Sequence, residues 1–181
     1  MRTEQAWNEK WQFKISKNLF PPRLAKEILE YSPILPLPEQ VVGAYIWGDT
    51  ETGKTIYAAQ MLLNFAKNNY LSGIHQTFAF ISIPQLMQKI KRTFSDKNGK
   101  GESDLLDFYQ TMNVLLLDDL GRTKTSDWLL DILYLLINYR YEYQLPTLIT
   151  SNHSLDELAG ILGDDRIVSR ILRMGEVIHV E

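Results

Sequence analysis

The sequence contains no cysteine among its 181 residues and only three histidines. Without thiols the chain forms neither a disulfide nor a zinc site built on thiolates, and three scattered histidines do not replace them. There is also no run of about 18 uncharged apolar residues, and the N-terminus lacks the features of a secretion signal. We therefore expect a cytoplasmic protein that makes no contact with a membrane.

The chain also has little excess charge. It carries 19 Lys and Arg against 22 Asp and Glu, a formal net charge of −3. This balance argues against a protein that coats nucleic acid through bulk positive charge, so any DNA contact must be local. Apolar residues are abundant at 45% of the chain, which suffices for one domain around a single core.

Residues 1–40 differ in character from the remainder. Trp7 and Trp11 lie among charged residues, and five prolines follow between positions 21 and 38. We interpret 1–40 as an N-terminal arm and linker that contains one short helix, and 41–181 as the main domain.

In the main domain, short apolar runs alternate with helical patterns, which is typical of βαβ units and a parallel sheet. The predicted strands are 42–47, 77–82, 114–117, 146–150 and 177–180. Predicted helices occupy 54–68, 84–94, 105–109, 128–143, 154–162 and 166–174. The fold is therefore predicted to be α/β.

A phosphate-binding motif follows the first predicted strand. Gly48-Asp49-Thr50-Glu51-Thr52-Gly53-Lys54-Thr55 matches G-x-x-x-x-G-K-[ST] and lies between a strand and a helix, as this motif requires. Backbone N–H groups at a helix N-terminus bind an anion, while the lysine contacts the β- and γ-phosphates and the threonine hydroxyl binds Mg²⁺. We predict that this loop binds ATP with Mg²⁺.

Two carboxylates and an amide follow the next two apolar strands. Asp118 and Asp119 come directly after the predicted strand 114–117, at the sheet edge where open α/β folds bind ligands. This pattern is typical of a Walker B motif, with Asp118 toward Mg²⁺ and Asp119 toward the attacking water. Asn152 ends the neighbouring strand and can bond the water or the γ-phosphate. An acidic N-cap and a turn-stabilising Asn are the alternatives.

Two arginines, Arg166 and Arg170, lie four residues apart on one face of a predicted helix. Either could stabilise the γ-phosphate of a neighbouring subunit as an arginine finger, which would require an oligomer. Arg166 could instead form a surface ion pair with one of the two preceding aspartates.

With these motifs in this order, the chain resembles the DnaC/DnaI/IstB branch of AAA+ ATPases. The resemblance runs from about Pro22 to the C-terminus and rests on the stretches 114–121 (Val-Leu-Leu-Leu-Asp-Asp-Leu-Gly), 146–152 (Pro-Thr-Leu-Ile-Thr-Ser-Asn), 166–171 (Arg-Ile-Val-Ser-Arg-Ile) and 138–142 (Asn-Tyr-Arg-Tyr-Glu). It implies a P-loop three-layer sandwich with a central parallel five-stranded sheet and no helical lid. Glu51 departs from the family, which usually has glycine there.

The resemblance also implies what the protein binds. Members assemble with ATP into an oligomer that holds single-stranded DNA and docks onto a replicative helicase. The matching DNA segment here offers Lys89, Lys91, Arg92 and Phe94, although an amphipathic helix with solvated lysines fits the same residues. Helicase contact could involve the aromatic arm around Trp7 and Trp11, or the chain could lack such a contact.

These features together predict an ATP-dependent DNA replication protein, a helicase loader with slow ATPase activity that DNA or a partner stimulates. A transposition helper ATPase of the IstB type is one alternative, and it would bind duplex DNA. A nucleotide-gated interaction module with little turnover is another, since Asp119 is shorter than the glutamate often found there.

Overall fold

A single parallel sheet organises the chain. The computed structural model describes residues 2–38, 43–93, 101–122 and 126–181, without the side chains of residues 10, 11 and 13. Within these residues the strands are β1 (Ala44–Trp47), β2 (Phe78–Ser82), β3 (Val114–Leu120), β4 (Thr147–Ser151) and β5 (Glu176–His179). All neighbours pair in parallel, in the order β2-β3-β4-β1-β5. Each predicted strand is confirmed to within three residues.

Helices connect the strands and cover the sheet. They are α1 (Glu4–Ala6), a π-helical turn (Trp7–Trp11), α2 (Gln12–Leu19), α3 (Pro22–Glu30), α4 (Lys54–Ser72), α5 (Ile83–Thr93), α6 (Glu102–Thr111), α7 (Asp127–Glu142), α8 (Leu155–Leu162) and α9 (Asp165–Met174). In the part of the chain that the structure describes, none of them has both the length and the apolar character that a membrane crossing requires.

Apolar side chains pack on both faces of the sheet, since neighbouring side chains of a strand point to opposite sides. Ala44 and Ile46 of β1 pack toward α3 and α4. Tyr45, between them, packs into a second core that receives side chains from α5 to α9. These two cores produce the predicted three-layer arrangement.

The N-terminal helices pack on the main domain through aromatic side chains. Trp7 is only 2% exposed and lies against Tyr70 of α4, with 5.6 Å between the ring centroids. Phe20 packs edge-on against Phe80 of β2 at 5.4 Å. Trp7 is therefore not an exposed anchor for a helicase, contrary to the expectation, and the side chain of Trp11 lies outside the described residues. The division near residue 40 stays a prediction.

Polar side chains of α4 hold the segment that follows α3. Tyr57, Gln60 and Asn64 lie along one face of α4, and each donates to a backbone carbonyl of residues 28–38. The bonds are Tyr57 Oη to Pro36 O (2.9 Å), Gln60 Nε2 to Tyr31 O (2.7 Å) and to Ile28 O (3.2 Å), and Asn64 Nδ2 to Pro38 O (3.0 Å). The helix that follows the phosphate-binding loop is thus bonded directly to the N-terminal segment.

The helices at 4–19 were not predicted from the sequence. A π-helical turn inserts one extra residue per turn, so the apolar residues on either side of it fall out of the i, i+3, i+4 spacing. Elsewhere the predicted helices are confirmed, with α4 and α6 longer than expected.

Arg140 of α7 forms hydrogen bonds at the end of the sheet where β4 begins, opposite the phosphate-binding loop. Its side chain is fully buried and donates to five oxygens, all of them uncharged. Three are backbone carbonyls at the end of α6, those of Tyr109 (3.0 Å), Gln110 (3.0 Å) and Met112 (2.8 Å), and the others are Pro146 O (2.8 Å) and Thr147 Oγ1 (2.8 Å). Burial lowers the pKa of the guanidinium to about 10, so Arg140 remains charged at neutral pH.

We expect Arg140→Leu to lower the free energy of unfolding by about 3–5 kcal/mol, because buried carbonyls lose their donor. Arg140→Lys keeps the charge but offers fewer donors, so it should recover only part of the loss. Urea denaturation measures both, with Arg173→Leu on the exposed side of α9 as the control, expected within about 0.5 kcal/mol of wild type. A loss no larger than that of the control would contradict the anchoring role.

Candidate nucleotide-binding site

A cavity of about 760 Å³ opens at the sheet edge where β1, β3 and β4 end. This volume is within the usual range of small-ligand sites, and the location is where open α/β sheets bind ligands. The cavity brings together residues that are far apart in the sequence, namely Lys54, Thr55, Asp118, Asp119, Arg122 and Asn152.

Two glycines shape the phosphate-binding loop for different reasons. Gly53 has φ +85°, a left-handed conformation that directly precedes α4 and that other residues adopt at a cost. Gly48 has φ +153°, and a Cβ there would lie 1.9 Å from the carbonyl oxygen of Val180, just after β5. Gly48 is therefore required by the packing of the chain beyond β5 against the loop.

The Lys54 ammonium lies inside the loop. It donates to the backbone carbonyl of Asp49 and, at 3.3 Å, to Thr52 Oγ1. Only 7% of Lys54 is exposed, and this burial lowers the pKa of its ammonium while nearby aspartates oppose the shift. The lysine charge is thus held by neutral oxygens, which a phosphate can replace.

A single oxygen of Asp118 joins three elements. Oδ1 accepts a hydrogen bond from the Thr55 hydroxyl of α4 at 2.7 Å and from the Thr150 hydroxyl of β4 at 2.6 Å. Burial raises the pKa of the Asp118 carboxyl above its ordinary value, and the two hydroxyls partly offset this. Thr55 and Asp118, both predicted to bind Mg²⁺, are thus adjacent.

Asp119 lies in a β-bulge of β3. Leu117 pairs with Ile149 and Leu120 with Ser151, so two residues of β3 face Thr150 alone. The Thr150 hydroxyl accepts from the Asp119 N–H at 3.1 Å, and Asp119 has φ +63°. The bulge turns Asp119 away from the regular strand alternation while Asp118 stays on the sheet.

The sequence did not indicate Thr150 or Arg122 as site residues. Arg122 Nη1 donates to Asp119 Oδ2 at 2.9 Å, an ion pair in which Arg122 is largely exposed. The opposite charges three residues apart were the only local signal, and the role of Thr150 depends on a strand pairing that the sequence does not reveal. Asn152 lies at the rim of the cavity with an exposed side chain.

The two candidate arginines do not line this cavity as far as the structure describes it. Both lie on α9, on the face of the sheet opposite α4. Arg166 forms a two-pronged ion pair with Asp164, with Nε to Oδ1 at 3.0 Å and Nη2 to Oδ2 at 2.7 Å. Arg170 contacts uncharged partners on α7 instead.

Comparison with known proteins identifies the family. The sequence profile of the IstB-like ATP binding protein family matches residues 21–180. The chain belongs to this family. The predicted membership of the DnaC/DnaI/IstB branch of AAA+ ATPases is confirmed.

One relative is a helicase loader by name. The replicative helicase loader DnaI of Bacillus subtilis (strain 168) is 30% identical over 117 residues, which are 64% of this chain and 35% of that protein. The chain thus spans about a third of the length of this curated relative. A crystal structure of DnaI matches with a TM-score of 0.64 and 26% identity, covering 88% of this chain and 81% of that one.

A crystal structure of the DnaC helicase loader shares the fold, with a TM-score of 0.63, 24% identity and coverage of 99% of this chain and 100% of that one. The predicted α/β AAA+ P-loop fold with a central five-stranded parallel sheet is confirmed.

In this IstB-like protein, α5 carries part of the predicted DNA segment. Lys89 donates to the Tyr109 hydroxyl at 3.0 Å, while Lys91 and Arg92 are exposed in the last turn of α5. Phe94 lies outside the described residues. Among the residues that are described, none of the three cations forms an ion pair with a carboxylate.

We expect Asp118→Asn to stabilise the nucleotide-free protein by about 1 kcal/mol at pH 7, because a buried carboxylate is replaced by a neutral acceptor. The raised pKa means that the Asp118 carboxyl lowers the stability of wild type progressively as the pH rises above about 4, a contribution that the variant lacks. The gain should therefore vanish in acid.

Thermal unfolding of the nucleotide-free protein over this pH range measures the difference, with Asp107→Asn on the exposed face of α6 as the control. The same variant should lose the stabilisation that Mg²⁺ adds to ATP binding. A destabilised Asp118→Asn at pH 7 would contradict a net cost of burying this charge.

Glu51 has φ +68° and an exposed carboxylate beside the cavity. Glycine adopts this conformation without the penalty of roughly 1–2 kcal/mol that other residues incur. The carboxylate also repels the negatively charged phosphates of ATP. We therefore expect Glu51→Gly to lower the dissociation constant for ATP about three- to tenfold, measured by titration calorimetry at low salt. Glu51→Gln removes the charge but keeps the strain, so it isolates the electrostatic part. Unchanged affinity in both variants would show that Glu51 imposes no charge penalty.

Proposed function

We propose that this protein is an ATP-dependent DNA replication protein of the helicase-loader type, which binds and hydrolyses ATP and oligomerises on single-stranded DNA. One observation carries the proposal. Lys54, Asp119 and Asn152 share one cavity, while Arg166 and Arg170 lie on another face of the subunit. An ATPase of this kind completes its site only when a second subunit is present. The similarity to DnaI supports replication as the setting.

Nucleotide binding begins with the phosphate-binding loop. The N–H groups ahead of α4 and the positive end of its dipole attract the phosphates. Lys54 exchanges the Asp49 carbonyl and the Thr52 hydroxyl for phosphate oxygens, which are stronger partners for an ammonium. Buried, the ammonium loses little to solvent screening and holds the β- and γ-phosphates firmly.

The residues present fit a magnesium ion. The Thr55 hydroxyl and the Asp118 carboxylate are hard oxygen donors and lie 2.7 Å apart, as ligands of one cation require. When bound, Mg²⁺ neutralises charge on the phosphates. The Thr150 hydroxyl keeps the Asp118 carboxylate oriented.

Asp119 and Asn152 act on the attacking water. Asp119, turned by the bulge, accepts the proton of the water, and the Asn152 amide orients it. Arg122 engages one oxygen of Asp119, and the cavity receives no arginine from α9 of its own subunit. Turnover by the isolated subunit is therefore slow, and a neighbouring subunit, DNA or a partner accelerates it.

Oligomerisation brings α9 of one subunit to the cavity of the next. Arg170 is better suited than Arg166 to act there as the arginine finger, because its charge is not neutralised by a carboxylate among the described residues. Along the same oligomer, Lys89, Lys91 and Arg92 contact the phosphates of single-stranded DNA.

The family match also supports a second candidate, a transposition helper ATPase of the IstB type. Such a protein would prefer duplex DNA and form filaments on it. A nucleotide-gated interaction module would bind ATP without appreciable hydrolysis, since Asp119 is short and paired with Arg122.

A single set of titrations separates these functions. Fluorescence anisotropy is measured with labelled single-stranded and duplex oligonucleotides, with and without Mg·ATP, beside a phosphate-release assay. We expect ATP-dependent binding of the single strand and hydrolysis that the single strand stimulates. Lys54→Ala should abolish both without unfolding the protein, whereas Lys26→Ala, an exposed lysine of α3, should match wild type.

Duplex preference with filaments would overturn the loader in favour of the transposition helper. DNA binding with no phosphate release above background would favour the interaction module. Co-elution with the replicative helicase of the source organism, in the presence of ATP, is the further result expected of a loader.

A further inference from the structure

The stretch Asn138-Tyr139-Arg140-Tyr141-Glu142 contributes side chains to two different sides of α7. Arg140 points into the core and bonds to carbonyls. Tyr134, Asn138 and Tyr141 lie at i, i+4 and i+7, on one face of α7, and all three lie near the Arg170 guanidinium. This second side therefore faces α9.

The partners of Arg170 hold it without neutralising it. Its Nε donates to Asn138 Oδ1, its Nη1 to the Arg166 carbonyl at 3.0 Å, and its Nη2 to the Tyr134 hydroxyl at 3.3 Å. The guanidinium carbon lies 4.9 Å from the centroid of the Tyr134 ring, within the range of a cation–π contact. Each of these groups is uncharged, so Arg170 keeps its full positive charge.

A count of donors shows what remains. A guanidinium has five N–H donors in a rigid plane, one on Nε and two on each terminal nitrogen. Three are used by the contacts within the described residues, one on each nitrogen. One N–H is left on each of the two terminal nitrogens, and both are donors that a phosphate oxygen can accept from.

Arg166 provides the contrast on the same helix. It stacks on the same Tyr134 ring, at 4.5 Å from the centroid, but its Nε and Nη2 are both bonded to the Asp164 carboxylate. A phosphate would have to displace that carboxylate first. Both arginines stack on the Tyr134 ring, and within the described residues Arg170 is the one that has no carboxylate partner.

We propose that Tyr134 and Asn138 are positioning residues for Arg170, which hold its guanidinium oriented, charged and with one free donor on each terminal nitrogen for the γ-phosphate of a neighbouring subunit. This rests on the proposed ATPase function and adds to it the residues that act through the finger. An unrestrained arginine would lose rotamer entropy when it engages the phosphate. Fixing it beforehand removes that cost from the transition state.

The test is Asn138→Asp. This substitution keeps the size of the side chain and the bond to Arg170 Nε, but adds a carboxylate that neutralises the guanidinium. If Asn138 only packs α7 against α9, the variant should be as stable and as active as wild type. If Asn138 keeps the finger available, we expect at least a tenfold lower kcat with unchanged melting temperature and unchanged dissociation constant for ATP.

Tyr134→Phe, which keeps the ring and loses the hydroxyl, should lower kcat about threefold by the same logic. Arg170→Ala defines the rate without a finger. Asn18→Asp, at an exposed position of α2, makes the same change of charge elsewhere and should match wild type.

A mixing experiment tests whether the loss of kcat arises in the subunit that provides the arginine finger. Lys54→Ala subunits have no working nucleotide site but carry an intact Arg170, so adding them to Arg170→Ala subunits should restore hydrolysis. The double variant Lys54→Ala with Asn138→Asp should fail to restore it. Because its own site is already inactive, this failure can only come from the finger it offers.

The outcomes separate the two proposals. Wild-type kcat in Asn138→Asp together with a large loss in Arg170→Ala would overturn the positioning role and leave the finger in place. Wild-type kcat in Arg170→Ala would overturn both, because there would then be no finger to position.

Discussion

One carboxylate oxygen, Oδ1 of Asp118, determines how the nucleotide site is assembled. It is buried at the end of β3 and accepts hydrogen bonds from Thr55 at the start of α4 and Thr150 near the end of β4. A buried carboxylate is costly unless it is hydrogen-bonded, so the two hydroxyls and the oxygen must stay together. Their contact sets the position of the phosphate-binding helix relative to the two strands that deliver Asp119 and Asn152.

The same contact explains the bulge in β3. Thr150 donates to Asp118 and accepts from the Asp119 N–H, so its one hydroxyl faces two consecutive residues of the neighbouring strand. The strand then resumes its pairing at Leu120, whose carbonyl accepts from Ser151. The local backbone is strained at Asp119, and such strain is common where a side chain must be aimed at a reacting group.

A second polar centre lies at the opposite edge of the sheet. Arg140 connects the end of α6 to the start of β4 through uncharged oxygens. These bonds also fix the orientation of α7 about its own axis. Because α7 is fixed, the face that carries Tyr134 and Asn138 is presented to α9. The buried Arg140 and the half-buried Arg170 are thus linked through one helix, and each is held by neutral partners.

Local sequence determined the elements and the chemistry that depends on neighbours in the chain. The apolar runs identified the strands, the alternation identified a parallel α/β sheet, and the spacing from Gly48 to Thr55 identified the phosphate loop, because each is a pattern within one short segment. Only the tertiary structure decided which distant groups meet. Thr55 lies 63 residues from Asp118, Thr150 lies 32 from it, and Asn138 lies 32 from Arg170. The bulge at Asp119, the burial of Trp7 and the contacts of Arg170 with α7 all follow from such contacts. Periodicity shows which face of an element is apolar, but it does not show which other element will cover that face.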